Sequence, residues 1–463
     1  MAEDIALMAH LMRRAGFGAT REELEERAEQ GYDATVDELL NPDSVTGADR
    51  YEFLRYHPAF WKPITSPGMG ASAWLHSMLN TERVLEEKMV LFWHQVFATG
   101  GSKLDHWHEM VSQVDMFRKY GMGNYRDLLV ELAKSPAMIF WLDNCDNHAY
   151  AVNENWGREL LELFSMGVGN YTEDDVRECS RAFTGWTIAA SIPRNAHGRY
   201  DWEFEYLPED HDEGDKTFLG HTGNFNGEDI IDIVCAQPAT ARFIARHLYN
   251  FFVAEEPQVP AWSVTPPNDP EAIDLLARTF TESGYDMKEV LRVLFTSDFF
   301  REARFAKIKS PAEVLVGTLR LVGGYKFPAP GIGNLSKEAG YMGQELLNPP
   351  SVEGWHTGAE WINSGTLMKR INFSADMVGD TTRPGIQAIV NRLKSRGDLE
   401  PEELVDACLD LLGPLQAQDD NRQQLVNHAR EKGALNWSDD VEARDRVGEM
   451  LQLVVSLREY QYA

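Results

Sequence analysis

The chain has 463 residues, 43% of them hydrophobic and 25% charged, so it can bury a large core and does not have the composition of a disordered protein. Its 44 Lys and Arg residues oppose 73 Asp and Glu residues, which gives a net charge of −29. A surface this acidic repels phosphate backbones and anionic lipid, so we expect no nucleic-acid partner and no insertion into a membrane.

The start of the chain favours a cytoplasmic location. Glu3 and Asp4 lie where a secretory signal would carry positive charge, and no long apolar run follows them. No segment approaches the roughly 18 apolar residues that cross a membrane. We therefore expect a soluble cytoplasmic protein, with export open only if a leader has been removed. The four cysteines are far apart and form no CxxC pair, which argues against a zinc ribbon or a redox motif.

Helical periodicity dominates the chain from its first residues. Residues 5–14 predict a helix, and Thr20 with Glu23 predicts a capping box at the start of a second one. Apolar spacing then predicts one long helix over residues 71–98. The same spacing predicts further helices over residues 105–120, 124–133, 153–165, 172–183, 227–253, 270–282, 287–296 and 311–322.

Strands are few, and the end of the chain differs in composition. Only residues 186–190 and 200–206 predict strands, and both are short. A polar turn over residues 380–384 separates a main helical domain, residues 1–380, from a C-terminal part, residues 384–463, that reads as three amphipathic helices. The predicted fold class is mainly α: a large single helical domain with a few short strands and a C-terminal helical bundle packed on it.

The densest group of polar residues lies in the helix predicted over residues 153–165. Asn155, Arg158, Glu159 and Glu162 follow at i, i+3, i+4 and i+7, so they share one helix face. The other faces are apolar, which predicts that the polar face is enclosed. Enclosed carboxylates need a counter-charge or a metal. Two interpretations stay open: a catalytic or metal-binding site, or an Arg–Glu network that only fixes helix packing.

A second predicted helix follows after a short turn. Thr172 is its predicted N-cap, with Asp175 at the third helical position. Asp175 and Glu178 share a face, and Arg181 lies beside it. Because helices joined by so short a turn pack side by side, we expect Asp175 or Glu178 near Glu159. Paired carboxylates near arginines suit a divalent cation or general acid–base catalysis.

The loop before this cluster predicts a cation site. Asp143, Asn147 and Glu154 stand at positions 1, 5 and 12 of a 12-residue segment, as in a calcium loop. Cysteine and histidine at positions 3 and 6 depart from that pattern, so we do not expect a true EF-hand. We expect a looser divalent-cation site formed by Asp143, Asn147, Glu154 and Glu159. The alternative is that the Asx side chains only cap turns.

Histidines complete the candidate set. His94 ends an aromatic helix, and it is either a catalytic residue or a satisfied core histidine. His106 and His108 are two residues apart and point in different directions on a helix, so they do not predict a chelate. Residues 348–355 form a rigid aromatic segment that either walls a cleft or fixes chain direction. GxSxG, Walker, HExxH and dinucleotide motifs are missing from the sequence.

Together these segments resemble a bacterial family of unknown function, domain of unknown function 1800. The resemblance rests on blocks spread over nearly the whole chain: residues 10–18, 92–97, 153–167, 171–176, 181–186, 211–216, 237–241, 349–355 and 370–373. It implies a sulfatase-like protein as a partner, because similar proteins are encoded beside such a family. It also implies export for many relatives, whose leader this sequence lacks.

Two function classes follow from the sequence. The first is a metal-assisted or acid–base enzyme with catalytic residues His94, Arg158, Glu159, Glu162, Asp175 and Arg181. The second is a non-catalytic partner or assembly subunit, in which the same network is structural. The sequence names no substrate and no reaction.

Overall fold

The computed structural model describes residues 2–56, 67–104, 106–190, 201–328 and 331–463. Helices form most of the chain, and two small antiparallel sheets interrupt them near the middle, so the prediction of a mainly α fold is confirmed. Among the described residues, no helix combines the length and the apolar character that a membrane crossing requires.

Twelve helices precede the first strand in the described residues. They are α1 (Ala2–Arg14), α2 (Arg21–Gln30), α3 (Tyr32–Leu40), α4 (Arg50–Tyr56), α5 (Pro67–Asn80), α6 (Val84–Val96), α7 (Gly101–Leu104), α8 (Trp107–Tyr120), α9 (Tyr125–Ala133), α10 (Pro136–Trp141), α11 (Asn155–Glu162) and α12 (Glu173–Ala182). The predicted capping box at Thr20 and Glu23 is confirmed at the start of α2.

Two β-hairpins follow α12. Strands β1 (Trp186–Ala190) and β2 (Trp202–Tyr206) pair antiparallel, with Trp186 opposite Tyr206. Strands β3 (Lys216–Phe218) and β4 (His221–Gly223) form a second, shorter pair. The sequence predicted the two strands of the first pair, at 186–190 and 200–206, but not their pairing; residue 200 lies outside the described residues. The strands of the second pair were missed, because three-residue strands show no usable alternation.

The remaining helices complete the main body and the C-terminal part. They are α13 (Gly227–Cys235), α14 (Pro238–Phe252), α15 (Pro270–Glu282), α16 (Met287–Thr296), α17 (Asp298–Glu302), α18 (Pro311–Val322), α19 (Ile332–Tyr341), α20 (Ser364–Gly379), α21 (Pro384–Lys394), α22 (Pro401–Leu411), α23 (Asp419–Glu431) and α24 (Asp440–Val455). The C-terminal part therefore has four helices, α21 to α24, where the sequence predicted three.

Two helices predicted as continuous are broken. The stretch 227–253 divides at Pro238, which lacks the N–H that a helix interior needs and forces Gln237 into an extended conformation. The stretch 71–98 divides after Asn80, where the backbone N–H of Glu82 donates to the carbonyl of Thr46 instead of to the preceding turn. A contact with a distant loop thus competes with the helical pattern there.

The buried residues form two large hydrophobic clusters. The larger one holds the main body, with α6 almost completely enclosed: Trp93 stacks on Phe97 at 4.9 Å, and both are fully buried. The second cluster is built from the C-terminal helices, and it takes in Val322 of α18 and Val378 of α20. Both of those residues precede the predicted boundary at 380–384, and the division at that boundary stays a prediction.

Candidate functional site

The candidate site is built on the helix pair α11 and α12, which pack closely together as expected. The contact is tightest at Gly157, where an added Cβ would lie only 2.2 Å from the Ser180 hydroxyl oxygen and 3.0 Å from the carbonyl oxygen of Val176. α11 is shorter than predicted because the Asn153 side chain accepts a hydrogen bond from the N–H of Asn155, which delays the helix start.

Glu159 is half-buried on α11. Among the described residues its carboxylate has neither a hydrogen-bond partner nor an ion-pair partner. Burial, together with the negative charges of Glu162 and Glu353, raises the pKa of Glu159 to about 7, against a smaller lowering by Arg158. Glu162 itself accepts a hydrogen bond from the Tyr171 hydroxyl at 2.9 Å. Two other carboxyl groups therefore act on Glu159 at this place.

The side chain of Arg158, unlike that of its neighbour Glu159, has ion-pair partners. Its guanidinium pairs with Glu173 at 2.7 Å and with Glu154 at 3.4 Å, on the partly exposed side of the helix pair. The hydrogen bond from Arg158 lowers the pKa of Glu173. Asn155, which the sequence predicted to be enclosed, is exposed and donates weakly to Asp143 at 3.3 Å. The polar face is thus half-open and not enclosed along its whole length.

Asp175 has the predicted capping role and a second role. Its carboxylate accepts the N–H of Thr172, as in a capping box, and also the N–H of Leu219 between β3 and β4, at 2.8 Å. Burial alone would raise the pKa of Asp175, but these hydrogen bonds lower it below its usual range. Asp175 therefore faces the β3–β4 hairpin, and Glu178 does the same through the N–H of Thr217.

Arg181 holds the same hairpin region. Its guanidinium binds Asp212 through two nitrogens, at 2.7 and 3.1 Å, and Glu178 at 2.7 Å. It also donates to the carbonyl of Asp215. The contacts with Asp212 and Asp215 join α12 to the segment around β3, whereas Glu178 lies on α12 itself. Asp175, Glu178 and Arg181 thus form one group with the hairpin, whereas the charges that act on Glu159 come from Arg158, Glu162 and Glu353.

His94 lies in an apolar enclosure. Its ring contacts the Trp74 and Trp355 rings edge-on, each with centroids 5.4 Å apart. Both ring nitrogens are buried without a hydrogen-bond partner among the described residues. Burial lowers the pKa of His94 to about 3, so the imidazole is neutral at physiological pH. The assignment of His94 as a catalytic residue stays a prediction.

The residues of the predicted cation site have separate partners. Asp143 pairs with Lys103 at 2.7 Å, and Glu154 pairs with Arg158. Asn147 is buried, and its amide group donates to the carbonyl of Ser180 and accepts the N–H of residue 153. The Asn147 side chain thus fixes the turn, whereas the Asp143 carboxylate pairs with a lysine outside it. The assignment of a metal to Asp143, Asn147, Glu154 and Glu159 stays a prediction.

Two residues that act on the site were not among the residues predicted from the sequence. Glu353 acts on Glu159 from the segment 348–355, whose backbone approaches α6 so closely that a Cβ on Gly354 would lie 2.3 Å from the Gln95 carbonyl oxygen. That segment therefore packs against α6, and its role as the wall of a cleft stays a prediction. Asp212, the main partner of Arg181, was also missed. Both lie far along the chain from α11 and α12, and no local pattern announces such contacts.

One group in the described residues does gather three potential metal ligands. His108, Glu109 and Asp201 each place a ligand atom within 4.8 Å of the others. As the sequence indicated, His106 is not part of it: its ring lies against Trp202, with centroids 4.7 Å apart. The group combines the first turn of α8 with the residue before β2, so only the fold brings it together.

A family model described as "Protein of unknown function (DUF1800)" matches residues 10–462. The match includes α11, α12 and the segment 348–355, and it confirms the resemblance seen in the sequence. No curated protein and no solved structure matches the chain. The description assigns no activity, so the function has to be inferred from the side chains of the site.

Proposed function

The chain belongs to the family of proteins of unknown function DUF1800, and we propose that it is an enzyme in which Glu159 transfers a proton. The observation that carries the proposal is a half-buried carboxylate without a hydrogen-bond or ion-pair partner among the described residues, beside the carboxylates of Glu162 and Glu353. A structural carboxylate at such a place normally has a cation or a donor against it.

The surroundings of Glu159 suit general acid–base catalysis. A pKa near 7 lets one carboxyl group both give and take a proton at neutral pH. Glu162 is oriented by the Tyr171 hydroxyl, so its charge is kept beside Glu159. Arg158 is held away by Glu173 and Glu154, which leaves the negative charges to dominate. Two carboxyl groups in unequal environments are a recurring arrangement in acid–base sites.

The acid–base form of the proposal is favoured over a cation held by Asp143, Asn147, Glu154 and Glu159. Lys103 and Arg158 already neutralise two of these acids, and a cation would have to displace both. The Asn147 amide oxygen, which would be the ligand, already accepts the N–H of Asn153 at 2.9 Å. We therefore expect Asp143→Asn to leave any effect of a chelator on the melting temperature unchanged, whereas a cation bound by these four residues would make that effect smaller in the variant.

A non-catalytic partner or assembly subunit, with a sulfatase-like protein as the partner, is the second candidate. The contacts of Arg181 favour it, because they either lie within α12, at Glu178, or join α12 to the hairpin region at Asp212 and Asp215. All three guanidinium nitrogens are therefore engaged inside the protein. In that case the carboxylates on α11 and α12 only help to shape the surface that the partner contacts.

Turnover by matched variants tests the proposal. The purified chain is incubated with a panel of small esters, glycosides, phosphate esters and amides, and products are followed by mass spectrometry. Glu159→Gln should lower any turnover by about 10²–10⁴-fold. Glu205→Gln, at an exposed residue of β2, is the control and should retain it. Turnover that survives Glu159→Gln would remove Glu159 from the chemistry. A wild-type chain inert toward the whole panel would favour the partner role.

A further inference from the structure

His108, Glu109 and Asp201 converge at a place distant in sequence from α11 and α12. The Nδ1 atom of His108 lies 3.5 Å from the Oε1 atom of Glu109 and 3.9 Å from the Oδ1 atom of Asp201. The N–H of Trp202 donates to Glu109 at 3.1 Å, which fixes the start of β2 against the first turn of α8. This hydrogen bond, from a backbone N–H to the Glu109 side chain, therefore sets the position of Asp201 relative to the other two residues.

These separations match those of ligands around one small metal ion. With metal–nitrogen and metal–oxygen bonds of about 2.0–2.2 Å, the ligand atoms of a tetrahedral zinc site lie about 3.4 Å apart. The distances from His108 exceed this value by a few tenths of an ångström. The third separation, between the carboxylates of Glu109 and Asp201, is within 4.8 Å. His108 and Asp201 are partly exposed, so theirs are the side chains whose adjustment would bring the three ligand atoms to bonding distance.

The buried member of the group supplies an independent reason for a cation. Glu109 is only 3% exposed, and among the described residues no Lys or Arg nitrogen lies within 4 Å of its carboxylate. An enclosed carboxylate is costly unless a positive charge lies beside it. Asp201 adds a second carboxylate, 3.9 Å from the Nδ1 atom of His108. The local potential therefore attracts a cation.

We propose that His108, Glu109 and Asp201 bind a divalent transition-metal ion of the Zn²⁺ type. The imidazole nitrogen selects such an ion over Mg²⁺ and Ca²⁺, which prefer oxygen ligands only. Three protein ligands leave at least one coordination position for water or another small ligand. His108 and Asp201 are 45% and 44% exposed, so the ion reaches the site from solvent. The site shares no residue with the group around Glu159.

Zn²⁺ titration of the full chain tests the site. After treatment with a chelator and its removal, calorimetry should give one Zn²⁺ per chain for the wild type. His108→Gln and Asp201→Asn each remove one ligand at a partly exposed position, and each should weaken binding by about tenfold or more. His221→Gln, at an exposed histidine of β4, is the matched control and should bind as the wild type does. Glu159→Gln should also bind normally.

Two further measurements decide between the proposed site and surface binding. Zn²⁺ should raise the melting temperature of the wild type and of His221→Gln, but not that of the double variant His108→Gln/Asp201→Asn. Co²⁺ in place of Zn²⁺ should show the visible absorption of a site with a nitrogen ligand, and His108→Gln should lose it. If the double variant binds Zn²⁺ as tightly as the wild type, binding is adventitious surface binding only and the proposal is wrong. Absence of Zn²⁺ binding by the wild type overturns it equally.

Discussion

Arg158 and Glu159 are neighbours in sequence, yet their side chains have opposite surroundings. Successive side chains on a helix point about 100° apart, so the two reach different neighbours. Arg158 extends toward the start of α12 and pairs with Glu173, whereas Glu159 turns toward Glu162 and Glu353. The cation nearest in sequence is thus engaged elsewhere. This difference of one position along α11 leaves Glu159 as a carboxylate that titrates near neutral pH.

The raised pKa of Glu159 predicts a pH dependence of stability. The folded chain keeps this proton up to about pH 7, whereas the unfolded chain releases it near 4.5, so the free energy of unfolding falls as pH rises between those values. Glu159→Gln removes the free-energy cost of ionising this half-buried carboxyl group. It should therefore raise the free energy of unfolding at pH 8 by about 1–2 kcal/mol, after allowance for solvent screening. Urea unfolding at pH 5 and pH 8 measures it. Glu205→Gln, on an exposed residue of β2, should change neither value.

At the scale of elements, the close contact of α11 with α12 depends on one glycine. Alanine at residue 157 would gain about 1 kcal/mol of helix propensity but would push a methyl group against Ser180. Since such overpacking costs about 1–3 kcal/mol, Gly157→Ala should lower the free energy of unfolding or leave no net gain.

A matched helical glycine provides the control for this prediction. Gly333 in α19 has only Ser72 within ordinary contact distance, at 3.7 Å, so Gly333→Ala should stabilise the chain. Chemical denaturation of both variants gives the comparison. Ser180→Ala combined with Gly157→Ala should recover part of the loss. Equal stabilisation by both single substitutions would show that α11 and α12 are not packed tightly at this position.

Local signals account for what the sequence predicted of these elements, and distant contacts account for what it missed. Thr172 with Asp175 announced the start of α12, because a cap lies within four residues of what it caps. The second hydrogen bond of Asp175, to Leu219, depends on a hairpin 44 residues away. The missed helix break at Pro238 has a different cause. It is local, and it could have been predicted from the proline alone.

At the scale of the whole molecule, the acidic chain encloses cations. Arg14 of α1 and Lys88 of α6 are both fully buried, and both bind Glu313 of α18. Lys88 also donates to the carbonyl of Gly16 at 2.9 Å. Three helices far apart in sequence are joined through one carboxylate. This arrangement could not be predicted from the sequence, because arginines and lysines on helices are usually solvated. The net charge of −29 therefore describes the surface better than the interior.

Buried histidines give the molecule a second global property. His10, His94 and His247 are all buried, and the pKa of each is lowered to about 3, with burial as the largest cause. The unfolded chain protonates them near 6.5, so between 6.5 and 3 the unfolded state binds more protons than the folded state. Stability is therefore lost as pH falls through this range.

We predict steep acid destabilisation from these three histidines. Each histidine lowers the free energy of unfolding by about 1.4 kcal/mol for each unit that the pH falls. Glu159 has the opposite effect with a smaller slope. The free energy of unfolding should therefore fall by about 3 kcal/mol between pH 6 and pH 5. Urea unfolding at half-unit pH steps measures the slope. His94→Leu should reduce it by about a third, since one proton fewer is taken up, whereas His221→Gln at an exposed position should leave it unchanged. A slope near zero, or one that His94→Leu does not alter, would mean that these rings are protonated in the folded chain and that the apolar enclosure between Trp74 and Trp355 opens to water.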